Sequence, residues 1–211
     1  MSSTRDLSAL QGLPGTRRLL QSLAVLDAVM SPQWESRYYM FDAAWGDRER
    51  SASMRNGCGD HWHAILCAQG MALVGLAHEA PAYVPGQPHP GIFAGLPEVF
   101  HANLLHEPAF ETSDATFCIW RLLDDDRWHV GRDLPRDDGS EDFLSILDGK
   151  PQDYVAYAAE YFECALALAD VEAVYAHRPL TPDLVTRLNP EADFAEAEAE
   201  VVEMGYPRAP Q

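Results

Sequence analysis

Two tight-turn signals that lie close together constrain the fold of this 211-residue chain more than any other feature. Asn56-Gly57 and Gln69-Gly70 separate three short stretches whose composition is typical of strands, at residues 51–55, 61–68 and 71–78. Gly59 and Asp60 suggest a longer loop after Asn56-Gly57. Both connections nevertheless join antiparallel neighbours, because a parallel connection needs a crossover of about a dozen residues or more. This part of the sequence therefore predicts an antiparallel meander.

Further strands are expected on both sides of this meander. Aromatic residues crowd the segment 37–44, which precedes it. After an irregular connection rich in proline and glycine, residues 116–123 and 127–131 have the pattern of a hairpin. The sheet is therefore expected to be largely antiparallel throughout.

Helical signals lie mainly towards the two ends of the chain. Behind Thr16, an expected N-cap, apolar side chains recur at helical spacing until Pro32 stops the helix. In the C-terminal third, Pro151 suits a first helical turn, and Thr181-Pro182 and Asn189-Pro190 have the pattern of further helix starts. The helix behind Pro151 carries an apolar stripe that we interpret as a packing face: Tyr154, Tyr157, Tyr161, Ala165 and Leu168.

Strands first and helices afterwards predict an α+β fold. The expected architecture is a largely antiparallel sheet, built from a meander and hairpins, packed by an N-terminal helix and several C-terminal helices. No internal repeat or low-complexity linker divides the sequence. We therefore expect a single domain over residues 1–211, with residues 1–15 and 207–211 as flexible ends.

The chain is strongly acidic, with 33 acidic against 15 basic residues and a formal net charge of -18. Such a charge repels nucleic-acid phosphates and anionic membrane surfaces and attracts basic partners. The charge is also regional. Residues 1–50 carry six basic and six acidic side chains, whereas residues 111–211 carry eight basic and 23 acidic ones.

The acidic segments of the C-terminal half are a candidate docking surface for a basic protein, since complementary charge gives fast and selective association. The alternative is a solvated surface that only keeps the protein in solution. The residues of the candidate partner surface are Asp124, Asp125, Asp126, Asp137, Asp138, Glu196 and Glu200.

Three histidines form the clearest candidate for a metal centre. His61 and His63 are two residues apart, so they share one face of a strand. If Gln69-Gly70 is a two-residue turn, His78 lies directly opposite His61. Three converging imidazoles with an open position are a ligand set for catalytic zinc. The alternative is that these histidines border a core and bond to the backbone.

The loop at residues 55–60 offers two further candidates. Cys58 lies near the histidines, as the nucleophile of a Cys–His pair would, although acidic surroundings oppose formation of the thiolate. Arg55 is a candidate anion-binding residue. Alternatively it pairs with a carboxylate, for which Asp42 and Asp60 are the nearest choices.

The sequence also suggests a compartment. Its first twenty residues contain no uninterrupted apolar stretch suited to a signal peptide, and its longest clean apolar run, 71–77, is too short to span a bilayer. The four cysteines occur singly, without a C-x-x-C pair. We therefore expect a cytoplasmic protein with reduced thiols and no membrane segment.

Several short strings together resemble a family of uncharacterised bacterial cytosolic proteins. The similarity spans roughly residues 23–206 and so implies one unit, but it implies no activity, cofactor or catalytic residue. The strings are Trp34-Glu35, Arg37-Tyr38-Tyr39, Ser53-Met54-Arg55-Asn56-Gly57, Gly59-Asp60, Ala77-His78-Glu79, Thr116-Phe117-Cys118-Ile119-Trp120-Arg121 and Asp138-Gly139-Ser140.

Two functions follow as expectations. The first is a non-enzymatic binding protein whose acidic C-terminal half docks a basic protein, similar in general character to the immunity proteins that neutralise basic toxins. The alternative is a metal-dependent hydrolase that uses His61, His63 and His78 to hold zinc. Of the two, the sequence favours the binding protein.

Overall fold

A computed structural model describes residues 2–208 of the chain. Its centre is one six-stranded sheet in which every strand pairs antiparallel with its neighbour in the sequence, in the order β1 to β6. The predicted α+β fold and its antiparallel meander are therefore confirmed. The strands are β1 (Tyr39–Gly46), β2 (Glu49–Arg55), β3 (His61–Cys67), β4 (Gly70–Leu76), β5 (Phe117–Leu122) and β6 (His129–Val130).

Six α-helices accompany the sheet within the described residues. They are α1 (Leu13–Met30), α2 (Ser140–Leu144), α3 (Pro151–Tyr161), α4 (Leu168–Tyr175), α5 (Pro182–Leu188) and α6 (Phe194–Glu203). The connection between β4 and β5 contains only short turns of 3₁₀- and π-helix. No helix in the described part of the chain is both long enough and apolar enough to cross a membrane.

Alternate side chains of β3, β4 and β5 enter two separate cores, because successive residues of a strand point to opposite faces. On β3, Trp62 and Leu66 belong to the larger core, which lies between the sheet and the helices. Ile65 belongs to the smaller core on the other face, which is closed by the β4–β5 connection through residues such as Phe100 and Phe110. All seven residues of β4 are buried, as expected for a strand covered on both faces.

Three helix boundaries differ from those predicted. Helix α1 begins at Leu13, with Gly12 as N-cap, because Pro14 occupies its first turn; Thr16 lies inside the helix. The aromatic helix α3 ends at Tyr161 rather than continuing to Leu168. Asn189 does not start a helix but ends α5, where its side-chain amide donates to the carbonyl oxygen of Val29, 2.9 Å away.

The N-terminal segment packs against the body of the protein. Ser2 and Thr4, which fall in the expected flexible end 1–15, are buried. The backbone N–H of Thr4 donates to Ser140 Oγ at 3.0 Å, which connects this segment to the start of α2. Residue 1, and residues 209–211 of the other expected flexible end, lie outside the described residues.

Candidate functional site

The register between β3 and β4 contradicts the predicted pairing of His61 with His78. Cys67 pairs with Gly70, so the turn is Ala68-Gln69 and His61 lies opposite Leu76. Gly70 belongs to the strand because β4 approaches β5 closely there, and a Cβ on Gly70 would overlap the carbonyl oxygen of Arg121. The shift of two residues keeps each side chain on its face but moves His78 beyond the end of β4.

The other two predicted ligands remain neighbours on the sheet. The ring centroids of His61 and His63 are 5.2 Å apart, and His63 stacks on Phe110 at 4.9 Å. Burial lowers the pKa of His63 to about 3, and it also lowers the pKa of His61. Oε2 of the exposed Glu111 lies 3.7 Å from Nε2 of His61. This surrounding fits the alternative interpretation, in which these histidines border a core.

His78 has a different partner. Its Nδ1 lies 2.7 Å from Asp60 Oδ1, and its backbone N–H donates to the same oxygen at 2.8 Å. Asn56 Nδ2 donates to the other Asp60 oxygen at 2.6 Å. Burial raises the pKa of Asp60, but these hydrogen bonds outweigh it and the pKa is lowered. Within residues 2–208, no three or more His, Cys, Asp or Glu side chains are grouped so that they could hold a metal ion.

The structure also shows the surroundings of the two loop candidates, Arg55 and Cys58. Arg55 does not pair with Asp42 or Asp60 but lies over the ring of Trp34, 6.0 Å from its centroid, and donates to Met40 Sδ at 3.7 Å. Cys58 is an exposed free thiol at the tip of the loop.

Titration of His63 tests its burial directly. We expect its imidazole to stay neutral throughout the pH range above about 4, because the ionised ring would lose its hydration beside Phe110. The change Phe110→Ala should admit water and raise the pKa of His63 towards the ordinary value of about 6.5. Imidazole NMR shifts across this range measure both values. A wild-type His63 that titrates near the ordinary value would contradict the described packing.

The seven residues of the predicted partner surface do not share one role. Asp138 is buried and accepts hydrogen bonds from the Thr4 hydroxyl and the Ser140 N–H. Its prediction as a partner-surface residue is therefore wrong, and its role is structural. Glu200 forms a salt bridge with the buried Arg37, and Asp125 accepts from the backbone N–H of Leu122 at 2.8 Å. The four that remain exposed are Asp124, Asp126, Asp137 and Glu196.

These seven residues are also separated in space. Asp124–126 form the β5–β6 turn, and the N–H of Leu123 donates to the carbonyl oxygen of Gln69, before the start of β4. Gly139, next to Asp138, lies against Ala77, beyond the other end of β4. A seven-residue strand spans about 20 Å. The acidic turns therefore lie at opposite ends of the sheet, and Glu196 and Glu200 lie on α6, which packs against β1.

A fully buried carboxylate, Asp27 of α1, organises a different region. Its Oδ2 accepts the backbone N–H groups of Tyr38 and Tyr39 at 2.8 and 2.9 Å. Its Oδ1 accepts the hydroxyl of Tyr154 at 2.7 Å, and the Tyr157 hydroxyl lies 3.4 Å from Oδ2. Asp27 therefore joins α1 to the start of β1 and to α3.

The environment of Asp27 changes its acidity. Burial raises its pKa to about 6, although all four of these hydrogen bonds favour the ionised carboxylate. The same burial, together with the charge of Asp27, raises the pKa of Tyr154 far above its ordinary value. The carboxylate is thus the one group of the network that changes its protonation near neutral pH.

Three of the four tyrosines that bond to Asp27, namely Tyr38, Tyr39 and Tyr157, also form the wall of a cleft of about 400 Å³ between the sheet, α2 and α3. We call it the tyrosine cleft. Tyr38 and Tyr157 are packed ring to ring, with centroids 5.1 Å apart. The cleft is lined by Tyr38, Tyr39, Met54, Asn56, Asp142, Phe143, Ser145, Ile146, Asp153, Ala156, Tyr157 and Glu160.

The tyrosine cleft has an uncompensated negative charge. Asp142, Asp153 and Glu160 contribute three carboxylates, and no lysine or arginine is part of the lining. In the described part of the chain none of these three side chains takes part in a recorded salt bridge or hydrogen bond. A cation that entered the cleft would therefore meet free acceptors beside aromatic rings.

A larger cleft of about 840 Å³ lies beside the N-terminal segment but differs in charge. It is lined by Arg5 and Arg136 as well as by acidic residues. Arg5 donates to the carbonyl oxygens of Leu134 and Pro135, and Asp138 is already bonded to Thr4. Because this cleft contains charges of both signs, it offers less selectivity for a cation than the tyrosine cleft.

Sequence reasoning missed the site although one signal was present. Asp27 interrupts the buried, apolar side of α1, where an unpaired carboxylate would be costly. A buried carboxylate requires donors, and the regularly spaced tyrosines of α3 carry hydroxyl groups that can supply them.

Comparison of the chain with known proteins assigns it no function. No family model, no curated protein and no solved structure matches it.

Proposed function

We propose that the protein binds a basic protein partner through the surface around α3. We call this surface the tyrosine face and define it by the rim of the tyrosine cleft together with the exposed aromatic residues beside it: Trp34, Tyr38, Asp142, Asp153, Glu160 and Tyr161. The observation that carries the proposal is the set of unpaired carboxylates around aromatic side chains in this one place.

The aromatic residues of the tyrosine face support a role in protein recognition. Trp34 is 56% exposed and Tyr161 is 38% exposed, which are high values for large rings. The Tyr161 hydroxyl donates to the carbonyl oxygen of Ser36 at 2.9 Å, so it holds the short helix of Trp34 against α3. Tryptophan and tyrosine are enriched among the residues that dominate binding energy at protein interfaces.

The charge of the tyrosine face supports a basic partner. Asp142 and Glu160 are exposed and Asp153 is half-buried, and none of them forms a salt bridge within residues 2–208. A cleft with one sign of charge concentrates its field and accelerates the approach of an oppositely charged protein. Ordinary salt weakens this attraction, because the Debye length falls from about 10 Å at 0.1 M to about 3 Å at 1 M.

A capture experiment with charge-reversed variants tests the proposal. The wild-type protein, immobilised and exposed to extract from its native cells, should retain a basic protein at about 0.1 M salt and release it at about 1 M. The double variant Asp142→Lys/Glu160→Lys should lose this protein, because two exposed side chains of the tyrosine face then repel it. Mass spectrometry identifies what is retained.

The matched control is Glu196→Lys/Glu203→Lys, which makes the same change of charge at two exposed positions of α6. We expect this control to retain the partner, apart from a modest loss due to the altered net charge. Equal retention by the wild type and by Asp142→Lys/Glu160→Lys, or the absence of any basic protein among those retained, would contradict the proposal.

A further inference from the structure

We propose that the tyrosine cleft is a binding site for the guanidinium group of an arginine side chain. The inference rests on the proposed function, since the arginine belongs to the basic partner, and it names the group that enters the cleft. It is carried by three features of the cleft: its carboxylates, its aromatic wall and its size.

The carboxylates define the charge of the occupant. Asp142 comes from α2, while Asp153 and Glu160 come from the two ends of α3, so the acceptors approach the cleft from different sides. A guanidinium carries five N–H donors in a planar fork and can bond to more than one carboxylate at a time. An ammonium has three donors around a single point.

The aromatic wall favours the same occupant. Tyr38, Tyr39 and Tyr157 line the cleft and pack against each other, with the rings of Tyr39 and Tyr157 edge to face at 5.4 Å. A guanidinium is planar and weakly hydrated, so it stacks on aromatic rings more readily than the strongly hydrated ammonium of lysine. The network of Asp27 holds these rings in place, because the carboxylate bonds to the backbone of both Tyr38 and Tyr39.

The size of the cleft fits a side chain rather than a helix or strand. Its volume of about 400 Å³ lies near the lower end of the range for small-molecule sites, about 300–1,000 Å³. Apolar groups of Met54, Phe143 and Ile146 belong to the lining and can contact the methylene stem of an arginine. Asp27 adds negative charge behind the tyrosines, where it is shielded from water.

Three matched peptides test the inference without knowledge of the partner. They are tri-arginine, tri-lysine and tri-citrulline, each acetylated and amidated so that charge resides only on the side chains. Citrulline has nearly the shape of arginine but no charge. We expect tri-arginine to bind more tightly than tri-lysine and tri-citrulline not to bind, as measured by calorimetry. In NMR spectra, tri-arginine should shift the resonances of Tyr157 and Ala156, which line the cleft.

Two variants separate the contributions of charge and ring. Asp142→Asn/Asp153→Asn/Glu160→Gln should weaken tri-arginine binding about tenfold, because it removes the carboxylates that attract the guanidinium and pair with it. Tyr38→Leu keeps apolar bulk but removes a ring, and should weaken binding about threefold. The control Glu141→Gln/Glu196→Gln/Glu203→Gln removes three exposed charges outside the cleft and should change the affinity less than twofold. Thermal unfolding checks that each variant is folded.

The outcomes decide between this inference and the broader proposal. Equal affinity for tri-arginine and tri-citrulline, equal affinity for tri-arginine and tri-lysine, an unaffected neutral triple variant, or NMR shifts confined to the β5–β6 turn would each overturn the arginine site. Arginine binding in the cleft together with unchanged partner capture by Asp142→Lys/Glu160→Lys would keep the arginine site and overturn the tyrosine face as the partner surface. If Asp142→Lys/Glu160→Lys loses partner capture but the wild type does not bind tri-arginine, the tyrosine face stays the partner surface and the arginine site is overturned.

Discussion

The change Asp27→Ala should lower the free energy of unfolding by about 3 kcal/mol at neutral pH, a large part of the roughly 5–15 kcal/mol that stabilises a typical domain. The substitution leaves the backbone N–H groups of Tyr38 and Tyr39 and the hydroxyl of Tyr154 without their acceptor. It also leaves a cavity in a fully buried position. Urea unfolding followed by circular dichroism measures the loss.

Two further variants show whether the hydrogen bonds of Asp27 cause this loss. Tyr154→Phe removes a single donor and should cost about 1 kcal/mol. Asp47→Ala removes an exposed carboxylate from the β1–β2 turn and should change the free energy of unfolding by less than about 0.5 kcal/mol. A loss on Asp27→Ala no larger than that on Asp47→Ala would contradict the central role of this carboxylate.

The meander could be predicted from the sequence because its strands are adjacent and its turns are local. The C-terminal end of the aromatic helix α3 could not be predicted, since its apolar stripe continues past Tyr161 into residues that have the same composition. The chain instead turns there, with Glu163 at a φ of +53°. Similarly, Asn189 has the sequence of a helix start, but its side chain bonds to the end of α1. The outcome at Asn189 therefore depends on a contact between distant segments.

The candidate site illustrates the same limit. The face on which His61 and His63 lie followed from strand periodicity, but the partner of His78 depended on whether Gly70 belonged to the turn or to the strand. That choice is made by β5, more than 40 residues further along the chain, which approaches Gly70 too closely for a side chain. The tyrosine cleft is likewise formed by residues of β1, β2, α2 and α3, which no local pattern connects.

The stability of the protein should also depend on pH through Asp27, and with a sign opposite to that of most carboxylates. In the unfolded chain this group ionises near its ordinary pKa of about 3.9, whereas burial raises its pKa to about 6 in the fold. Between these values the folded protein keeps a proton that the unfolded chain has lost. Rising pH therefore favours unfolding across this window.

The expected size of this effect is about 3 kcal/mol, because each unit between the two pKa values corresponds to about 1.4 kcal/mol. The stabilising contribution is complete below a pH of about 4 and is lost as the pH rises through about 6. Asp60, whose pKa is lowered, contributes in the opposite direction, but it does so equally in the wild type and in Asp27→Asn. The difference in the free energy of unfolding between these two proteins, measured in urea from about pH 4 to about pH 7, should therefore shrink by this amount. A constant difference over that range would mean that the pKa of Asp27 is not raised in the fold.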